Sequence, residues 1–172
     1  MDHLDKLESK SIFIIREAYK KFKNIAALWS VGKDSTVLVW LCKKAFFGKL
    51  PFPVIYIDTG FHFKEMYEFR DKMVKDWSLN LIISRNEEAD KQNVIYKDKL
   101  KCCGMRKTEA LKQTIDKYKF KALLLGIRRD EHGIRAKERI FSPRNKDFQW
   151  DYKNHCEVVT NTLLLYLSRL RL

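Results

Sequence analysis

The sequence predicts an α/β fold, a doubly wound parallel sheet of four or five strands with helices on both faces. Three observations carry this prediction. Short apolar runs alternate with stretches of helical periodicity along most of the chain. Those runs, such as Ile25-Ala26-Ala27-Leu28-Trp29 and Ala122-Leu123-Leu124-Leu125, are continuously apolar and do not alternate in polarity. Strands of that kind are covered on both faces, as in parallel sheets. Finally, three segments suited to anions or nucleotides fall just after apolar runs: Ser30 to Thr36, Asp58-Thr59-Gly60, and Gly126 with the arginines that follow. In open parallel sheets ligands bind beyond the carboxyl ends of the strands.

The elements follow in order. Leu4, Leu7, Ile14, Ala18 and Phe22 recur at helical spacing and predict an amphipathic first helix. Ile25–Trp29 is the first strand, and Val37 to Cys42 continues as a helix after a tight turn. Pro53 leads into a second strand, Val54-Ile55-Tyr56-Ile57-Asp58. Met66, Phe69, Met73 and Trp77 mark the next helix, and Leu81-Ile82-Ile83 a third strand. Thr108 to Tyr118 reads as a helix with Leu111, Ile115 and Tyr118 on one face, before the fourth strand at 122–126.

At 172 residues the chain is long enough for one domain with a sizeable core. Its 45% hydrophobic and 13% aromatic content excludes a disordered chain. No apolar run approaches the ~20 residues that span a bilayer, and nothing reads as a signal peptide. A cytoplasmic protein without a membrane partner is expected. Four cysteines, at 42, 102, 103 and 156, suit a reducing compartment. The net charge of +13 favours anionic partners. Nucleotides, sulfate and polyphosphate qualify as well as nucleic acid does. The chain shows no nucleic-acid-binding motif, so nucleic acid is not the expected partner.

Ser30-Val31-Gly32-Lys33-Asp34-Ser35-Thr36 lies between a strand and a helix. A turn of small residues there offers unpaired backbone N–H groups and the positive end of a helix dipole to a phosphate. Gly32 is expected to permit close backbone approach, Lys33 to add a point charge, and Ser35 and Thr36 to add hydroxyl donors. The segment lacks the first glycine of the common nucleotide P-loop. It resembles instead the PP-loop of the N-type ATP pyrophosphatases, Ser-x-Gly-Lys-Asp-Ser, which cut ATP between its α- and β-phosphates. An ordinary helix-capping serine is the simpler alternative.

Asp58 ends the second strand, where a carboxylate suits a ribose, a base edge or Mg²⁺; an Asx turn into Gly60 is the structural alternative. From Gly126 to Lys146 seven cations face three carboxylates. Arginine forks match sulfate and phosphate oxygens. Arg128 and Arg129 leave a buried strand at the expected ligand edge, whereas Arg135, Arg144 and Lys146 read more simply as a solvated face.

Three longer segments make the likeness specific. They are Phe61-His-Phe-Lys-Glu-Met-Tyr-Glu-Phe-Arg-Asp-Lys-Met, Lys107-Thr-Glu-Ala-Leu-Lys-Gln, and Arg128-Arg-Asp-Glu followed by Arg135-Ala-Lys-Glu-Arg-Ile-Phe-Ser. They resemble the small subunits of the heterodimeric ATP sulfurylases, within the phosphoadenosine-phosphosulfate reductase superfamily, from about Ile12 to about Glu157. The resemblance implies an adenine-nucleotide α-hydrolase-like, Rossmann-like fold over residues 1–157. It implies the reaction of ATP and sulfate to adenylyl sulfate and pyrophosphate, with Mg²⁺, and coupling to a larger GTPase subunit. By the same resemblance Ser30, Gly32, Lys33, Asp34 and Ser35 hold the leaving pyrophosphate, and Asp58 lies in the nucleotide pocket. Arg128, Arg129, Arg135, Lys137 and Arg139 surround sulfate and the phosphates. Sulfate is already an anion, so positioning and fixed positive charge suffice without a general base.

Cys102 and Cys103 precede an Arg-Lys pair as in the adenylyl-sulfate reductases, which add a downstream Cys-x-x-Cys to bind a [4Fe–4S] cluster. Here Cys156 follows alone, so a four-thiolate cluster would need Cys42. No protein-held metal site is expected. The retained Lys33-Asp34-Ser35 also argues for the adenylylating branch over a nucleotide-sulfate reductase. Residues 158–172 match nothing in the family. A truncated or frame-shifted remnant, or a short C-terminal helix docked on the sheet, is expected there.

Overall fold

The computed structural model describes residues 3–92, 94, 98–127, 139–145, 149 and the backbone of 163–166. The chain begins with helix α1 (His3–Phe22), followed by β1 (Ile25–Leu28), α2 (Lys33–Ala45), β2 (Val54–Ile57), α3 (Lys64–Trp77) and β3 (Leu81–Ser84). Two short helices, α4 (Glu87–Lys91) and α5 (Lys99–Cys103), lead into a π-helical turn at Gly104–Glu109 and α6 (Ala110–Tyr118). Strands β4 (Ala122–Leu125), β5 (Phe141–Pro143) and β6 (Leu163–Tyr166) complete the described elements.

One six-stranded sheet has the order β3-β2-β1-β4-β6-β5. β1 pairs in parallel with β2 and β4, with Ala27 opposite Val54 and Leu124. β2 and β3 are parallel, as are β4 and β6. The first three strands step one way from β1, and the chain then returns to place β4 on its other side. β1 and β4 therefore flank a topological switch point, where the crevice at the strand ends accepts ligands.

The alternation of elements places apolar surface on both sides of the sheet. On one face Ile14, Ile15 and Ala18 of α1 and Leu38, Val39 and Cys42 of α2 close over Ile25, Ala27, Val54 and Leu124, with Met73, Val74 and Trp77 of α3 packed alongside. On the other face Ile115 of α6 and Phe120 cover Ala26, Ile55 and Leu123. The four residues of β1, the centre of this sandwich, are Ile-Ala-Ala-Leu; the two alanines leave room for helices to approach.

Two features depart from the sequence expectation. β5 runs antiparallel to β6 at the sheet edge. It contains Pro143, which has no N–H to donate and is tolerated at an edge. Within the tail, where a remnant or a short docked helix is expected, Leu163–Tyr166 forms a strand between β4 and β5. A short apolar run of this kind carries no periodicity that separates helix from strand.

Candidate functional site

Strand β1 ends into the loop that starts α2. The Trp29 N–H donates to the Ile55 carbonyl and carries the strand direction one residue further. Its indole Nε1 donates to Thr36 Oγ1 at 2.9 Å, tying the strand end to the first turn of the helix. Ser35 Oγ donates to the Gly32 carbonyl at 3.0 Å and accepts from the Ser30 N–H at 3.2 Å. A hydroxyl has one hydrogen, so in the 3.0 Å contact between the two serines Ser30 must be the donor. The Ser35 and Thr36 hydroxyls expected to face a phosphate thus brace the loop. No side chain caps α2, and the N–H groups of its first turn remain available to an anion.

Gly32 has an ordinary extended backbone, φ −77° and ψ 162°. The unusual residue is Val31, with φ +64°. A β-branched residue in the left-handed region is strained, and such strain collects where a loop must hold one shape. The close approach expected at Gly32 occurs at Gly126, at the end of β4. A Cβ there would lie 2.8 Å from the Asp34 carbonyl oxygen and 3.3 Å from Ser35 Cα. Only glycine lets the start of α2 settle onto the end of β4.

A cleft of about 500 Å³ opens at this junction, lined by Leu28, Ser30, Gly32, Lys33, Asp34 and Ser35 on one side and Leu125, Gly126, Ile127 and Lys107 on the other. Lys33 is 73% exposed, with its ammonium 3.8 Å from the Asp34 carboxylate. A narrower cleft of about 140 Å³ continues from it, sharing Leu28, Ser30 and Lys107 and adding Trp29, Tyr56, Ile57, Thr59 and His62. Its wall is apolar and aromatic, the surface a planar base stacks against.

That aromatic wall is fixed by hydrogen bonds. The Tyr56 hydroxyl lies 2.6 Å from His62 Nδ1. Burial, with Tyr67 and Asp58 nearby, pushes the Tyr56 hydroxyl up to about 12, so it keeps its proton. Burial lowers the His62 imidazole below its usual range against the raising effect of Asp58, with Lys107 and Arg70 adding to the lowering. The neutral ring and the tyrosine hydroxyl thus share one hydrogen bond at Nδ1.

Lys107 reaches both clefts from the π-helical turn, a distortion common at functional sites. Its neighbour Arg106 is buried and holds that turn in place. The Arg106 guanidinium donates to the carbonyls of Val94 at 2.7 Å, Thr59 at 3.0 Å and Ala89 at 3.3 Å, and to Asp90 Oδ1 at 2.6 Å. It also stacks 4.7 Å from the centre of the Phe61 ring. The Arg85 and Arg106 guanidiniums hold the Asp90 carboxyl below the usual carboxylate range.

The profile of the phosphoadenosine phosphosulfate reductase domain matches residues 24–158. The chain belongs to this family. Sulfate adenylyltransferase subunit 2 of Zymomonas mobilis is 48% identical over 157 residues, which are 90% of this chain and 52% of that protein. The chain thus spans about half the length of the curated relatives it matches. Among solved structures, the phosphoadenylyl-sulfate reductase of Candida auris superposes with a TM-score of 0.69 at 17% identity, over 96% of this chain and 77% of that one. The FMN adenylyltransferase of Candida glabrata, solved with ATP, gives 0.68 at 17% identity, over 94% of this chain and 49% of that one. These likenesses show the fold.

In this member of the phosphoadenosine phosphosulfate reductase family, Ser30, Gly32, Lys33, Asp34 and Ser35 come together along one cleft. Asp58 lies behind the aromatic wall and lines neither cleft. Its carboxylate is 12% exposed. Oδ1 accepts from the Gly60 N–H at 2.9 Å and the Tyr67 hydroxyl at 2.8 Å, and Oδ2 sits 3.5 Å from Arg85. This is an Asx turn, but one enclosed by partners. Arg128, Arg129, Arg135 and Lys137 lie outside the described residues. Arg139 is exposed; its backbone N–H donates to Ser142 Oγ at 2.9 Å, which anchors the entry to β5. Arg144 is 8% exposed and not on a solvated face. Lys107 lines both clefts and Arg106 supports it, although neither stands out in the sequence as a site residue. The signal was present in the polar Arg-Lys-Thr-Glu run before α6, but a π-helical turn breaks the 3.6-residue pattern that would have placed them.

Cys42 is fully buried in the core and its thiol is pushed well above the usual range by burial. It cannot meet Cys102 and Cys103, which are half-buried on α5, without unpacking α2. Cys156 lies outside the described residues. Among the described residues no helix is long and apolar enough to cross a membrane.

Proposed function

We propose that this chain carries the adenylylating site of a sulfate adenylyltransferase, joining sulfate to the α-phosphate of ATP and releasing pyrophosphate. The observation that carries the reading is the uncapped start of α2 opening into a cleft with Lys33 on its rim and an aromatic annex beside it. A triphosphate fits the N–H-lined end, and an adenine base the aromatic end. Support comes also from the 48% identity to a sulfate adenylyltransferase subunit 2.

A sulfate oxygen attacks the α-phosphorus, a phosphorus–oxygen bond forms, and the bond to the bridging oxygen of pyrophosphate breaks. No proton moves. The chain's task is to hold two anions together and to receive the charge that grows on pyrophosphate, which the α2 N–H groups and Lys33 do. Asp34, which lines the cleft and whose carboxylate is partly exposed beside the Lys33 ammonium, is the residue that fits Mg²⁺, an ion that takes one or two carboxylates along with substrate phosphates. Asp58 fits less well, because its oxygens already have partners. When bound, Mg²⁺ supplies charge neutralisation on the phosphates. Arg128, Arg129, Arg135, Lys137 and Arg139 are assigned to sulfate and the phosphates.

We assign this chemistry to residues 1–157, acting in the cytoplasm, with a larger GTPase subunit as partner; the relatives' description as subunit 2 supports a second subunit. The test is sulfate-dependent pyrophosphate release from ATP and Mg²⁺, with and without that subunit. Release that requires sulfate is the expected result. ATP binding without sulfate-dependent release under either condition would remove the adenylylation reading. Reduction of a nucleotide sulfate would replace it.

A further inference from the structure

We propose that Lys107 holds the α-phosphate of the bound nucleotide, while Lys33 holds the departing pyrophosphate. The proposal rests on the nucleotide reading above and assigns the two lysines to different parts of the ligand. Three residues line both clefts: Leu28, Ser30 and Lys107. A nucleotide with its base in the aromatic cleft and its terminal phosphates at the start of α2 must place its α-phosphate between them, at this shared junction. Leu28 offers no polar group there. The Ser30 hydroxyl gives its hydrogen to Ser35. Lys107 is the one cation of the three.

Lys107 is also exposed at this junction. Among the described residues its side chain makes no hydrogen bond and no ion pair. Its backbone is nonetheless fixed, because Arg106 beside it is bonded to three different backbone carbonyls and Asp90. An exposed ammonium on an anchored turn can meet a phosphate without moving the wall. Lys33 sits elsewhere, as the first residue of α2, on the rim of the wider cleft only. The charge at the α-phosphate lies at the reacting atom, so Lys107 would ease the approach of a second anion there.

The two assignments separate with fragments of the ligand. AMP carries the α-phosphate without the leaving group, and inorganic pyrophosphate carries the leaving group alone. The experiment measures the affinity of the full chain for ATP, AMP and pyrophosphate by calorimetry, in wild type, Lys107→Ala, Lys107→Arg and Lys33→Ala. Losing a charge-assisted contact weakens binding roughly tenfold or more. Lys107→Ala is expected to lose that much for AMP and ATP and to keep its pyrophosphate affinity, with Lys107→Arg recovering most of the loss. Lys33→Ala is expected to lose ATP and pyrophosphate affinity and to keep that for AMP. Thermal unfolding confirms that the variants fold, as is expected for exposed side chains.

Unchanged AMP affinity in Lys107→Ala overturns the proposal, as does an equal loss for AMP and pyrophosphate. A wild-type chain that binds pyrophosphate but no AMP also overturns it. A wild-type chain that binds none of the three overturns the nucleotide reading itself, so the two failures are distinguishable.

Discussion

The two walls of the cleft are built in different ways. The wall at the start of α2 comes from seven consecutive residues, Ser30 to Thr36, braced by hydrogen bonds that span no more than seven positions. The wall of the adjoining aromatic cleft assembles Tyr56, His62 and Lys107 from separate elements, and Arg106 supports it from behind, bonded to Thr59 across 47 positions. The first wall is a local motif, whose geometry follows from the helix start itself. The second depends on the tertiary fold and on one buried guanidinium. Damage to the first should therefore cost ligand binding before stability, and damage to the second should cost both.

The sharpest way to test this difference is Arg106→Ala. It removes one of the two 2.6 Å partners of Asp90, leaving Arg85, and takes a donor from the carbonyls of Val94, Thr59 and Ala89, of which Ala89 keeps the Val94 N–H, in a region 7% exposed at the arginine side chain. Several charge-assisted bonds lost together are expected to cost on the order of 3 kcal/mol in chemical unfolding. Arg106→Lys should recover only part, since an ammonium cannot reproduce the planar fork. A midpoint within error of wild type would mean that the second wall stands without its clamp.

A smaller effect is expected where the two walls' supports meet. In Gly126→Ala the added methyl group would meet the Asp34 carbonyl oxygen at 2.8 Å, and backbone offers no easy retreat. Overpacking of this kind costs about 1–3 kcal/mol. Because the displaced atoms belong to the start of α2, pyrophosphate affinity should fall further than the loss of stability alone explains. If unfolding and ligand affinity both matched wild type, the close contact between β4 and α2 would carry no role in shaping the first wall.

The same contrast explains what the sequence disclosed. β1, β2, β3 and β4 are short apolar runs between polar breaks, and their parallel arrangement follows from the helices between them. The Ser-x-Gly-Lys-Asp-Ser segment was legible because it is contiguous. Its internal bonding was not: the strained residue is Val31 and not Gly32, and the Ser35 hydroxyl turns inward. The second wall left little trace, because no local pattern announces that Arg106 will reach Thr59, Ala89, Asp90 and Val94 at once. The place of Asp58 at a strand end suits a ligand contact and an Asx turn alike, and only the resemblance puts it in the nucleotide pocket. Tyr67 and Arg85, which enclose it, come from elements that follow it in sequence. β5, Phe-Ser-Pro, holds no apolar run, and the apolar run of β6 suits a helix as well as a strand.

The smallest expected effect is a pH dependence confined to the second wall. His62 is the group concerned. Burial lowers its imidazole from the usual 6.5, with Lys107 and Arg70 adding to the lowering and Asp58, 3.9 Å from Nδ1, opposing it. The unfolded chain therefore takes up a proton at a higher pH than the folded chain does. Where the unfolded state binds more protons, stability rises with pH. The His62 contribution is thus fully present above pH 6.5 and is lost as the pH falls below 6.5 towards the depressed folded value. Protonation would also put a cation beside Lys107 and Arg70. Unfolding midpoints measured from pH 8 down to pH 5 should decline more steeply in wild type than in His62→Gln, whose side chain stays neutral throughout. The first wall holds no histidine, so pyrophosphate affinity, corrected for ligand protonation, should change little over the part of that range where both proteins stay folded. Parallel declines in the two proteins would show that the Tyr56–His62 pair does not set the pH sensitivity of this wall.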